Sequence, residues 1–179
     1  MAIAKKKKRF FDVEIPLIKK TTQLQAYELE ELEGKIIRYD LTRSLRGKSM
    51  LMEFKVSVKE HVASAEPISS KLMPYYLRRM VRKGTNYIED SFNAKCKDAI
   101  LIVKPLLISR RKISRIVRSA LRDKAKEELM NYMKDYPSKI IFDDLLKNQI
   151  QKQLSLKLKK IYPLSLCEIR ILKIEKPKR

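Results

Sequence analysis

The run AILIVKPLLISRRKISRIVRSALRDKAKEELMNYMKD, residues 99–135, changes its hydrophobic period partway along, and that change decides the fold class. Ala99 to Ile108 is an apolar, β-branched stretch of strand length, interrupted at Lys104 and Pro105. A run of that kind bounded by polar residues reads as a buried strand. From Arg110 to about Asp135 the apolar residues recur every three or four positions, the period of a helix, until Pro137 breaks it. Downstream, a second helix is expected from about Ile140 to Lys160, ended by Pro163, and Leu164 to Ile174 returns to strand. Upstream, Phe10 to Ile15, Lys35 to Leu41 and Ser49 to Lys59 read as strands. The last alternates, with Met50, Met52, Phe54, Val56 and Val58 on one face. Tyr27 to Glu33 suits one helical turn stopped by Gly34, and Pro74 to Lys83 a short helix with Pro at its start and Gly84 past its end. Tyr87 to Lys97 is a further strand. Strands, a short helix, strands, two longer helices and a closing strand give an α+β fold with a mostly antiparallel sheet. The expected organisation is a basic tail over 1–9, a single α+β domain over 10–174, and a second basic tail over 175–179.

Charge sets the class of partner. The 179 residues carry 42 Lys and Arg against 21 Asp and Glu, a net charge of +21. Self-repulsion at that level destabilises a compact chain, and a large polyanion relieves it. No apolar run approaches the roughly 20 residues of a spanning helix. No apolar stretch of signal length follows Lys5–Arg9 either, so a cytoplasmic location and no membrane partner are expected. Nucleic acid is the polyanion that remains. Cys96 and Cys167, two distant thiols, are expected to be reduced and packed.

The cationic residues fall in three groups. On a wheel centred on Ile113, with Ile116, Val117, Ala120 and Leu121 on the apolar side, Arg111, Arg115, Arg118 and Arg122 fall at about 140° to 200°. They form a row of guanidinium forks suited to successive phosphate oxygens, and Arg110 and Lys112 beside them are further candidate contacts. No acid lies between Lys104 and Arg122, whereas a merely solvated face interleaves acids at i+3 or i+4. The second group is Arg78, Arg79, Arg82 and Lys83 on the short helix, with Arg78 and Arg82 one turn apart. Beside them Tyr75 and Tyr76 either stack on unpaired bases or pack under the helix. The third is the tail Lys5, Lys6, Lys7, Lys8 and Arg9, an arm that orders on nucleic acid.

Other chemistry finds little support. Asp143 and Asp144 read as acids near a helix start, Glu28, Glu30, Glu31 and Glu33 as a solvated patch, and His61 has no nucleophile at motif spacing. Three glycines, Gly34, Gly47 and Gly84, exclude a glycine-rich phosphate loop, and one histidine leaves no zinc motif. No cofactor and no enzymatic activity are expected. The alternatives weighed beside an RNA-bound structural protein are a free RNA chaperone or other basic nucleic-acid-binding protein, and a nucleic-acid enzyme resting on Asp143 or Asp144.

Several blocks resemble one family. They are Asp40-Leu41-Thr42; Tyr76-Leu77-Arg78-Arg79-Met80-Val81-Arg82-Lys83; Val103-Lys104-Pro105-Leu106 with the arginine-rich helix after it; and Ile161-Tyr162-Pro163-Leu164 followed by Glu168-Ile169-Arg170. Together, from about Lys8 to the end, they resemble the archaeal and eukaryotic small-subunit ribosomal protein family S-three-A-e, e-S-one in the universal naming. The resemblance implies a β-barrel-like sheet with packed helices. It also implies a structural place on the small-subunit platform near the messenger exit. The implied partners are the 3′ region of the small-subunit rRNA and neighbouring small-subunit proteins, with messenger RNA near the exit as a further one. Phe10-Phe11 stand where the family usually has Trp-Tyr, and the chain is short beside eukaryotic members, which points to an archaeal-type ribosome.

Overall fold

The strand and helix periods described above become two compact units in the computed structural model, which describes residues 7–45, 47–59 and 62–175. Residues up to Tyr39 with Met52–Ile68 form the first, and Asp40–Leu51 with Ser69 onward the second. Among the described residues there are nine strands and four α-helices, an α+β fold.

In the first unit β1 (Arg9–Ile15) and β2 (Lys20–Ala26) form an antiparallel hairpin, in register from Arg9↔Ala26 to Ile15↔Lys20. Its turn puts Lys19 at φ 53°, an uncommon angle for a residue with a Cβ. β1 also pairs in parallel with β5 (Val62–Leu72) through Val13↔Ala63 and Glu14↔Ser64. The acidic stretch forms a 3-10 turn at Leu29–Leu32, and Gly34 at φ 76° turns the chain so that its N–H donates to Val56 O at 2.9 Å. That geometry needs a residue without a Cβ. β3 (Ile36–Asp40) then pairs with β4 (Met50–Lys59), which pairs with β5. Met50, Met52, Phe54 and Val56 are buried along one face, as their alternation requires.

In the second unit, Ser69–Lys71 of β5 pairs with β9 (Leu164–Ile174), and β9 pairs with β8 (Ile100–Ser109). The far side of β8 takes β6 (Tyr87–Glu89) and β7 (Phe92–Lys95). All of these pairings are antiparallel. Neither unit's strand path returns to its first strand, so the sheet is open and not a closed barrel. Pro105 has no N–H to donate, and the ladder slips there: Lys104 faces Ile171 and Pro105 faces Ile169, leaving Arg170 as the extra residue of a bulge. Helix α2 (Arg115–Asp135) covers β7 and β6, α4 (Gln149–Leu158) lies against β9 and α2, and α3 (Ser138–Leu146) against α4. The helical core is Leu121, Ala125, Leu129 and Met133 of α2 with Ile141, Phe142, Leu145, Ile150, Leu154 and Leu158. Each large side chain among them is worth about 1.5–3 kcal/mol of burial.

The strand expected over Tyr87 to Lys97 is two, β6 and β7, and the helix expectations also need correction. The helix at Pro74 (α1) ends at Met80, because Val81 is already extended and Arg82 O is taken by the Thr85 hydroxyl at 2.7 Å. The arginine-rich helix starts at Arg115 and not at Arg110, because Ser114 caps it, its side chain accepting from Val117 N. The helix expected over Ile140 to Lys160 is two, broken where Asn148 adopts φ 58°. Asp143 and Asp144 therefore sit in the last turns of α3, away from any helix start. Strands β2 and β5 were absent from the sequence reading altogether.

Candidate nucleic-acid interface

Helix α2 carries two kinds of charge. In its second half, Lys124 pairs with Glu127 at 2.9 Å and Glu128 at 3.3 Å, and Lys157 of α4 reaches Glu128 as well, the pattern of a solvated face. These contacts hold the Lys124 ammonium above its ordinary pKa and the Glu128 carboxyl below its own, through hydrogen bonds to their partners. The first half has nothing of the kind. Among the described residues, none of Arg78, Arg79, Arg82, Lys83, Arg110, Arg111, Lys112, Arg115, Arg118 and Arg122 takes part in an ion pair.

The fold gathers most of these cations about one hydrogen-bonded node. Asn86 N donates to Ser109 Oγ at 2.9 Å, and Ser109 N donates to Asn86 O at 2.9 Å. Ser109 Oγ lies 2.6 Å from Arg111 O, and Ile113 N donates to Asn86 Oδ1 at 2.9 Å. Ser109 is fully buried, so these bonds are shielded from water. The node pins two basic segments side by side: the turn bearing Arg82 and Lys83, and the connector Arg110–Lys112 that leads into Arg115. All six of these cations are exposed. Asn86 and Ser109 were not singled out from the sequence, because a lone Asn and a lone Ser carry no periodic signal.

The other expected residues divide. Arg122 is exposed on α2. Arg118 is half-buried, and its Nε is enclosed without a hydrogen-bond partner. It lies three residues before Leu121 and seven before Ala125, on the side that packs, whereas Ile116, expected on the apolar side, is 81% exposed. The wheel centred on Ile113 misplaced both, since the helix begins later and its buried stripe is set by Leu121 to Met133. Arg78 and Arg79 are exposed on α1; Arg82 and Lys83 lie beyond its end. Arg79 sits 5.7 Å from the Tyr76 ring centroid and donates to Gly47 O at 3.5 Å, so it also tethers α1 to the loop before β4. On α1, Tyr76 is buried and takes the packing reading, while Tyr75 is exposed. Burial first and the Glu168 charge second raise the Tyr76 phenol pKa. In the first unit Lys7, Lys8 and Arg9 are exposed; Lys8 Nζ lies 5.6 Å from the Tyr27 ring centroid, and Arg9 opens β1. Lys5 and Lys6 lie outside the described residues, as do His61 and residues 176–179.

The residues read as chemically idle have structural partners. Asp143 pairs with Lys147, and Asp144, buried, accepts from the Tyr132 hydroxyl at 2.6 Å. Cys96 and Cys167 are buried, unbridged thiols, as expected. No helix among the described residues is long and apolar enough to cross a membrane.

An α+β body of net charge +21 that leaves these ten cations, most of them exposed, without an acidic partner among the described residues belongs to the class of proteins built to lie against a polyanion. The Ribosomal S3Ae family matches residues 4–178, and the chain belongs to that family. Among curated relatives, the chain is 29% identical over 170 residues to small ribosomal subunit protein eS1 of Nanoarchaeum equitans, covering 88% of this chain and 84% of that protein. It is 26% identical over 140 residues to eS1 of Pyrobaculum aerophilum, covering 77% of this chain but only 63% of that longer protein. It is also 26% identical over 155 residues to eS1 of Haloquadratum walsbyi, with coverages of 82% and 71%. Family membership makes the chain a structural, non-enzymatic protein of the small ribosomal subunit, with its place in the cytoplasmic ribosome.

Proposed function

We propose that this protein binds small-subunit rRNA through the cations around the Asn86–Ser109 node, in the 3′ region near the platform and messenger exit. Arg78, Arg79, Arg122 and the basic tails 1–9 and 175–179 extend the contact. Neighbouring small-subunit proteins and messenger RNA near the exit are the other partners of that location. The observation that carries the reading is the ten cations without acids. At the helical spacings of three and four, like charges repel by a few tenths of a kcal/mol per pair, and phosphates turn that cost into attraction. Planar guanidinium forks bind phosphate oxygens two at a time, and the node fixes their positions before RNA arrives.

The test is the variant Arg111→Glu/Arg115→Glu, which avoids the half-buried Arg118. With the fold checked by circular dichroism, the variant should dissociate from small subunits at lower salt than the wild type. For an isolated rRNA fragment, the slope of log affinity against log salt should fall by about one to two for two lost phosphate contacts. Unchanged retention and an unchanged slope would remove the node from the interface.

A further inference from the structure

Between α1 and the β6 edge lies a groove of about 480 Å³ whose lining includes Leu77, Arg78, Val81, Tyr87, Glu89 and Arg170. Its size falls in the range of about 300–1,000 Å³ that holds small ligands. Each part of it has a cause in the sheet. Along β6, Ile88 is buried, so Tyr87 and Glu89 project together from the opposite face. β6 pairs only with β8, which leaves Tyr87 60% exposed on an edge. Arg170 is the extra residue of the bulge opposite Pro105, and a bulge re-aims its side chain. Here it reaches Glu89, with Nη1 2.7 Å from Oε1 and 2.9 Å from Oε2. Leu77 and Val81 give an apolar wall, and Arg78 is an exposed cation at the rim.

We propose that this groove takes one unpaired guanine nucleotide of the bound RNA, a proposal that rests on the RNA-binding reading above. The base stacks on Tyr87 against the Leu77–Val81 wall. Its N1–H and N2–H donors face Glu89, whose carboxylate is held in orientation by Arg170 and is still 37% exposed, with lone pairs free for two more hydrogen bonds. Arg78, with Arg82 and Lys83 in the adjoining turn, takes the flanking phosphates. Charge favours RNA over a protein segment as occupant, since these three cations have no acidic partner among the described residues. Uracil offers one donor on that edge, and adenine and cytosine one amino group each; only guanine presents two neighbouring donors.

The chain contains no tryptophan, so Tyr87→Trp places a single reporter in the groove while keeping a stacking ring. The probes are short single-stranded oligouridylates, with or without one central guanosine, titrated into the full-length variant. The expected result is quenching of the indole by the guanosine oligomer, with about five- to tenfold tighter binding than oligouridylate. In the wild-type ring background, Tyr87→Ala should weaken the guanosine oligomer about tenfold, the scale of one lost stacking contact, and leave the salt slope intact because no charge is removed. Glu89→Gln should abolish the preference for guanosine. Equal affinity for both oligomers, or Tyr87→Ala without effect, overturns the groove and leaves the phosphate reading standing. A salt slope unmoved by Arg111→Glu/Arg115→Glu overturns that underlying reading instead. Quenching by a neighbouring small-subunit protein without any by RNA would also overturn the proposal, in favour of a protein contact.

Discussion

Lys48→Met is the perturbation whose size the structure fixes best. Lys48 Nζ donates to Glu168 Oε2 at 2.7 Å and to Asn148 Oδ1 at 2.8 Å, and the side chains of Lys48 and Glu168 are 10% and 12% exposed. Within the second unit this ties the loop before β4, the left-handed corner between α3 and α4, and β9. Methionine preserves the volume and removes the charge. Glu168 then keeps only a long contact from Gln151 Nε2 at 3.5 Å. A buried charge stripped of its partner costs about 3–5 kcal/mol. With a urea dependence of about 2 kcal/mol per molar, the unfolding midpoint should fall by roughly 1.5–2.5 M. The measurement is urea unfolding in moderate salt, which screens the self-repulsion of a chain of net charge +21. Lys48→Met/Glu168→Leu removes both charges and should recover most of the loss, since paired apolar replacements of buried ion pairs are often close to neutral. A loss below about 1 kcal/mol for the single variant would refute the reasoning, because that is the worth of a solvated surface pair.

Alkali should destabilise the fold through two protons it holds tightly. Burial, and then the Glu168 charge, push the Cys167 thiol up to about 12; burial and the hydrogen bond to Asp144 raise the Tyr132 phenol as well. Both groups keep their protons in the folded state at a pH where the unfolded chain has lost them, so stability is full below the unfolded values and falls as pH rises above about 9. The decline is at most about 1.4 kcal/mol per pH unit per group. Cys167→Ala should flatten it between pH 9 and 10 in a urea series, and an unaltered slope would mean the thiol is more solvated than its burial indicates. At the node, Asn86→Ala strands the Ile113 amide and should speed hydrogen exchange over Arg110–Ile113, with a loss of about 1–2 kcal/mol. Asn86→Asp keeps the acceptor, so exchange should stay slow while affinity for rRNA drops several-fold; slow exchange in both variants would show that the connector is held by something else.

The sequence carried the fold wherever a hydrophobic period was strong, and failed where burial used other residues. β4 was legible because Met50, Met52, Phe54 and Val56 repeat every second position. β5 was not: its buried face is Ala63, Ala65, Pro67 and Ser69, too small and polar to register, with a proline that argued against a strand. β2, KTTQLQA, buries only Ala26 and takes its conformation from pairing with β1. Helix boundaries failed for a related reason. Ser114 and Asn148 set them through a cap and a left-handed turn, while the hydrophobic pattern runs on through Ile113 and Leu146. The cationic groups were found by composition, but their gathering depends on Tyr87↔Ile108 pairing, a contact between strands 21 residues apart that no local pattern encodes.

The two ways this protein fixes its cations separate building from binding. Where a lysine must hold the fold, as Lys48 does, an acid partners it and their fields cancel. Where cations must face outward, the backbone beneath them is held by a neutral amide and a hydroxyl, Asn86 and Ser109. An acid in that position would anchor the connector equally well. It would also add a negative charge to the segment that carries these cations, and a pair of unit charges about 4 Å apart is worth about 1 kcal/mol in water and about 4 at an effective dielectric of 20. One carboxylate in the node would therefore offset part of what the neighbouring cations gain from RNA. The absence of acids from Arg110 to Arg122 in the sequence and the neutral chemistry of the node in the fold are the same constraint, expressed once in composition and once in geometry.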